Sequence, residues 1–170
     1  ILGMGYINNI LTYGLEKYVA DAKEAGLDGA IIPDVPHEES GEMREICEKH
    51  AFHVIEFVTP GTTPARVKET CMSANGFIYC VSVNGVTGVR KIDYTPIGEV
   101  AKMVSGLTNV PLAVGFGIGS PEAAVEASRH ADAVIVGSAV VKLILGKKVD
   151  EAAQLIADMR KALDEAYQQA

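Results

Sequence analysis

Three glycine-rich turns, each following an apolar run, are the residues of this chain whose type and spacing best suit chemistry. The first is Tyr79-Cys80-Val81-Ser82-Val83-Asn84-Gly85-Val86-Thr87-Gly88. The second is Leu112-Ala113-Val114-Gly115-Phe116-Gly117-Ile118-Gly119, and the third is Ala133-Val134-Ile135-Val136-Gly137-Ser138-Ala139. In a parallel α/β protein, loops of this kind sit at the carboxyl ends of neighbouring strands. Glycine lets backbone N–H groups approach a ligand closely, and a helix starting just after the loop adds the positive end of its dipole. Together they predict an anion pocket, most suited to a phosphate. Tight turns without a ligand would use the same glycines.

The remaining reactive residues suggest less. His37, His50, His53 and His130 lack metal-ligand spacing and read as loop or helix-end residues, so no metal is expected. Glu38, Glu39 and Glu42 suit the solvated first turn of a helix, and Lys147-Lys148 a solvated helix end. Cys47, Cys71 and Cys80 are odd in number and read as reduced, buried thiols of a cytoplasmic protein.

The elements that must position the glycine turns alternate β then α along the 170 residues, consistent with a single domain. Strands are expected at Ile1 to Gly5, Gly29 to Pro33, His53 to Val58, Gly76 to Val81, Pro111 to Val114 and Ala133 to Val136. Helices are expected at Leu11 to Ala25 (with Leu15, Val19 and Ala22 inward), Glu38 to His50 (Met43, Ile46 and Cys47), Thr63 to Ser73, Thr95 to Ser105, Ser120 onward and Ser138 to Leu145. The terminal helix, Asp150 to Tyr167, carries Ala152, Leu155, Ile156, Met159 and Leu163 on one face. Thr63-Pro64 and Ser120-Pro121 are cap-plus-proline starts. Strands apolar almost throughout suit a parallel sheet covered by helices on one face and filled with side chains on the other. A doubly wound sheet fits the same alternation, but it usually places its glycine turn after the first strand. Glycine turns late in the chain favour a (β/α)8 TIM-type barrel, where a phosphate commonly sits after the seventh and eighth strands. Six βα units are two short of closure.

Composition narrows the function classes. A net charge of −7 argues against nonspecific nucleic-acid binding. No apolar run reaches the roughly 18 residues that suggest a membrane helix, and no secretory leader is visible. The opening Ile1-Leu2-Gly3-Met4-Gly5 reads as the inside of a strand, which suggests a processed, cloned or incomplete chain.

Four segments together resemble the tryptophan synthase alpha subunit family. They are Met4-Gly5-Tyr6-Ile7-Asn8 with Tyr13-Gly14; Ile31-Ile32-Pro33-Asp34-Val35-Pro36-His37-Glu38-Glu39; Phe77 to Ser82 with Gly85-Val86-Thr87-Gly88; and Val114-Gly115-Phe116-Gly117-Ile118 with Val136 to Lys142. They match the family's third, fourth, sixth, and seventh and eighth strands. The resemblance implies a partial barrel of its third to eighth βα units. It implies an aldolase-type lyase of tryptophan biosynthesis, cleaving indole-3-glycerol phosphate to indole and glyceraldehyde 3-phosphate. It also implies a heterotetramer with a beta subunit that carries pyridoxal phosphate, the alpha subunit itself needing no cofactor. By the same resemblance, Gly88, Gly117, Gly137 and Ser138 hold the phosphate, mainly through backbone N–H groups. Tyr79 sits near the reacting glycerol side chain as an auxiliary catalytic residue, and Tyr6, Asp34 and Thr87 line the substrate site, where Asp34 either hydrogen-bonds the mobile loop or has the structural role of capping the turn before Pro36. Asn8, Asn9 and the Pro33 to Pro36 turn match surfaces used against the beta subunit.

The resemblance is incomplete in three places. The family's catalytic glutamate and aspartate would lie before Ile1, so weak cleavage and partial phosphate binding are expected of these residues, and Thr87 loses its family partner. Val83 stands where the family usually has arginine, and Gly119 where serine or threonine is usual. Two alternatives remain open: another phosphate-binding barrel isomerase or synthase, and a non-catalytic phosphometabolite-binding or assembly fragment. A six-stranded open sheet has two unpaired edges and an apolar interior, which predicts self-association.

Overall fold

The computed structural model describes residues 1–81 and 94–168. Its elements are β1 (Leu2–Met4), α1 (Ile7–Tyr13), α2 (Leu15–Glu24), β2 (Gly29–Ile31), a 3-10 turn (His37–Glu39), α3 (Gly41–Lys49), β3 (His53–Val54), β4 (Glu56–Val58) and α4 (Pro64–Ser73). They continue as β5 (Ile78–Val81), α5 (Thr95–Ser105), β6 (Leu112–Gly115), α6 (Pro121–Ser128), β7 (Ala133–Ile135), α7 (Ser138–Leu145) and α8 (Val149–Gln168). The strands form two sheets, ordered β1-β2-β3 and β4-β5-β6-β7. Every pairing is parallel, as the β-then-α alternation requires.

Helix starts follow local chemistry. The Thr63 side chain accepts a hydrogen bond from the Arg66 N–H, and Ser120 from the Ala123 N–H at 3.2 Å, with Pro64 and Pro121 just inside each helix. Along β4, β5 and β6, Val58, Ile78, Cys80, Leu112 and Val114 turn towards the helices. There they join Val67, Ile97, Val100, Val104 and Met159 in the larger core. A smaller core gathers Ile10, Val19, Ala30, Ile32, Met43, Cys47 and Phe52 beneath the first sheet. Among the described residues β1 and β7 each pair on one side only. No described helix is long and apolar enough to cross a membrane.

Four details differ from the pattern expected of the sequence. The helix expected over Leu11 to Ala25 is two helices, because Gly14 adopts φ +98° and ψ 117°. Its N–H closes α1 on the Ile10 and Leu11 carbonyls, and its carbonyl accepts from Tyr18 N–H at 2.7 Å inside α2. The stretch His53 to Val58 breaks at Ile55. Its first part pairs with β2, which ends at Ile31, and the Ile55 N–H makes the last bond of that pairing, to the Ala30 carbonyl at 3.0 Å. Its second part pairs with β5 instead. The helix expected from Glu38 begins at Gly41, after the 3-10 turn and the buried Ser40. Finally, Ile156 is 45% exposed at the margin of the α8 stripe, while Ala152 and Met159 are buried.

Candidate functional site

The second and third glycine turns are brought side by side by the sheet register. Gly115 pairs with Ile135, so residues 116–119 and 136–139 leave the same end of adjacent strands. A Cβ on Gly119 would lie 3.8 Å from that of Ala139, so the turns are in contact distance. Gly117 takes φ +71°, a conformation suited to glycine, and Phe116 takes φ +98°, which an L side chain rarely adopts. Strain of this kind costs on the order of 1–3 kcal/mol and persists only where surrounding structure enforces it. Gly137 is the cap residue of α7, and among the described residues no side chain makes a capping hydrogen bond there. Gly137 and Ser138 are exposed, so the first-turn N–H groups of α7 open towards solvent beside Gly117. These groups can hold an anion through backbone donors and the helix dipole.

Tyr79 lies under the same turn. It is buried on β5, facing Phe57 on one neighbouring strand and Ala113 on the other. Its ring stacks on Phe57 with centroids 5.3 Å apart and tilts against Phe77 at 6.5 Å. Any Cβ at Gly115 would collide with the Tyr79 phenol, so only glycine fits there. Burial raises the Tyr79 pKa above its ordinary value, so the hydroxyl stays protonated at neutral pH and can donate a hydrogen bond.

Tyr6 and Asp34 form a second group, after β1 and β2. Tyr6 is exposed at the cap position of α1. The Asp34 carboxylate accepts from the Ile7 N–H, at 3.0 and 3.2 Å through its two oxygens. Asp34 thus ties the turn after β2 to the start of α1, beside Tyr6. Among the described residues no hydrogen bond links this pair to Tyr79 or to the glycine turns. Thr87, Gly88 and Val83 lie outside the described residues.

One polar cluster is absent from the sequence reading. Glu56, on β4, is buried and pairs with Arg44 of α3 at 2.6 Å; His37 Nδ1 lies 3.3 Å from it, and Ser73 Oγ donates to it at 3.2 Å. The signal available in the sequence was a carboxylate in step with Val54 and Val58 on a strand face that alternation turns to the helices. Nearby, Glu38, expected on a solvated helix start, also pairs with Arg66 of α4. Cys47, Cys71 and Cys80 are free and buried. Burial pushes the Cys47 thiol up to about 11 and Cys80 up to about 12.

Comparison with known proteins agrees with the segments that carry the resemblance. The family model for the tryptophan synthase alpha chain matches residues 1–170. The tryptophan synthase alpha chain of Geobacter sulfurreducens is 41% identical over 167 residues, covering 98% of this chain and 63% of its own length. That of Clostridium kluyveri is 39% identical over 166 residues, covering 95% and 63%. Among solved structures, the alpha subunit of Campylobacter jejuni superposes with a TM-score of 0.84 at 34% identity, over 93% of this chain and 64% of that one. The alpha chain of Legionella pneumophila gives 0.82 at 32% identity, over 96% and 62%. The chain therefore spans somewhat under two-thirds of the length of the curated relatives it matches. Its parallel strands and outer helices are those of part of a TIM-type barrel. With the glycine turns, Tyr79 and Asp34 in the segments that carry the likeness, the chain belongs to the tryptophan synthase alpha chain family.

Proposed function

We propose that this chain supplies the phosphate-holding and glycerol-facing side of a site that cleaves indole-3-glycerol phosphate to indole and glyceraldehyde 3-phosphate. The observation that carries this reading is the convergence of the Gly117 turn with the start of α7 at Gly137 and Ser138. Backbone N–H groups there take the phosphate, joined by Gly88. Tyr79 offers a protonated hydroxyl from beneath Gly115, towards the glycerol side chain. Tyr6, Asp34 and Thr87 border the substrate.

Cleavage of the carbon–carbon bond needs a base for the indole nitrogen, an acid for the ring carbon and an acceptor for the hydroxyl proton. The two carboxylates that the family resemblance assigns to this work are not among these 170 residues. The reading therefore gives these residues, one partial barrel domain, substrate holding with little turnover. It further includes a beta subunit partner that alone carries pyridoxal phosphate, a cytoplasmic setting, and association of the chain with itself through the outer strands β1 and β7.

Binding of indole-3-glycerol phosphate to the 170-residue chain, followed by amide chemical shifts, tests the reading. Shifts concentrated at Gly117, Gly137 and Ser138 are expected. Saturable binding that leaves those amides unmoved would overturn the phosphate assignment.

A further inference from the structure

Glu56 is a buried carboxylate on a strand face that is otherwise apolar. It sits between Val54 and Val58 on the helix-facing side of a strand, and it is 8% exposed. Replacing a buried ion pair by well-packed apolar residues is often neutral or stabilising. What the carboxylate adds is direction, since its partners come from three separate elements. Arg44 of α3 binds Oε1 at 2.6 Å, Ser73 of α4 donates to the same oxygen at 3.2 Å, and His37 of the 3-10 turn meets Oε2 at 3.3 Å. Arg44 also contacts the His37 ring and donates through Nε to Ser40 Oγ at 2.8 Å. Ser40 Oγ in turn donates to the His37 carbonyl at 2.7 Å.

The turn braced in this way borders an open pocket of about 240 Å³, which residues 33–37 line together with Ile32, Ser40, Met43, Glu56 and Phe57. Within the turn, Val35 packs against the smaller core, and the rest of the turn is held by the polar contacts. Between His37 and Asp34 are only Val35 and Pro36, and Pro33 precedes them. Pro36, with its fixed φ, stiffens this link, and Pro33 fixes the backbone that enters it. At its far end the Asp34 carboxylate holds the Ile7 N–H.

We infer that Glu56 is a positioning residue: through Arg44 and His37 it fixes the turn after β2, and through that turn it sets Asp34, Ile7 and the approach of Tyr6 to the strand-end mouth. The importance of that mouth rests on the function proposed above; the mechanical link does not. The test is amide hydrogen exchange in the 170-residue chain, comparing Glu56→Gln and the double variant Arg44→Met/Glu56→Leu with the unsubstituted protein. In the double variant, urea stability and the exchange of Ile78 and Val114 stay unchanged, while the Ile7 and Ser40 amides exchange about tenfold faster. Glu56→Gln keeps the shape and loses the charge, and it gives a smaller acceleration at the same two amides. If the double variant does not fold, Glu56→Gln decides alone, with roughly threefold as the expected change. Ile7 exchange within the scatter of the unsubstituted protein, in the folded variants, overturns the inference and leaves Glu56 as core filling. Indole-3-glycerol phosphate titrated in parallel judges the mouth separately. A chain that fails to bind it sinks the proposed function, and Ile7 exchange still decides the brace.

Discussion

The two sheets hold their strand-end turns by opposite means. In the second sheet the two adjacent glycine turns rely on main-chain geometry: Gly115 admits the Tyr79 ring, Gly117 sits at positive φ, and α7 starts at Gly137 with no side-chain cap among the described residues. In the first sheet the turn after β2 is held by side chains, with Asp34 on Ile7 and Glu56 gathering Arg44, His37 and Ser73. The difference follows from what lies beneath. The second sheet rests on the larger core, where Ile78, Val114 and Val67 are essentially inaccessible. Rigid strands can present backbone donors without further bracing. The first sheet rests on a smaller core with a cavity at the mouth of β2, so its turn needs polar struts.

The largest expected effect contrasts the two cores. Ile78→Ala should cost about 4 kcal/mol, because strands pair on both sides of Ile78 and little can collapse into the gap. Ile32→Ala should cost about 2 kcal/mol, since Ile32 already borders a cavity. Urea unfolding of both variants measures this, and equal losses would erase the proposed asymmetry.

Gly115→Val should cost about 3 kcal/mol by overpacking against Tyr79. Tyr79→Ala in the same chain should recover part of that loss. Additive costs in the double variant would mean that the ring is not what excludes a side chain at residue 115.

Alkaline titration compares the cores through their thiols. The native pKa values of Cys47 and Cys80 lie above the ordinary 9.0, so their contribution to stability is complete below pH 9 and is lost as pH rises. Each thiol that is ionised only in the unfolded chain steepens the decline by about 1.4 kcal/mol per pH unit. The Cys47 share should be spent near pH 11, and the Cys80 share only near pH 12. Stability measured across that range in Cys47→Ala and Cys80→Ala checks the order, and identical slopes in the two variants would contradict it.

Two changes near 1 kcal/mol complete the comparison. Asp34→Ala removes the hydrogen bonds to Ile7 and should cost about 1 kcal/mol while loosening α1. Tyr94→Phe should instead stabilise by up to about 1 kcal/mol, because the Tyr94 hydroxyl is buried in the larger core with no hydrogen-bond partner among the described residues. Thermal unfolding with opposite signs for the two is the expected result. A destabilised Tyr94→Phe would reveal a bond that the structure does not show.

By itself the sequence determined the order of elements, the cap-plus-proline starts of α4 and α6, the buried thiols and the glycine turns after β6 and β7. Each is written in neighbouring residues: periodicity in the strands and helices, a hydroxyl three residues before the N–H it caps, glycine where a turn must be tight. The split at Gly14 is also local: its positive φ and its bonds to Ile10, Leu11 and Tyr18 all lie within neighbouring residues. Only the tertiary structure decided the break at Ile55, the seating of Tyr79 against Gly115, the tie from Asp34 to Ile7 and the cluster around Glu56. Those contacts join residues 7 to 36 positions apart, and no sequence period connects such positions. A buried carboxylate shows in the sequence only as an odd residue in a strand, and its meaning comes from Arg44, His37 and Ser73, which folding brings to it.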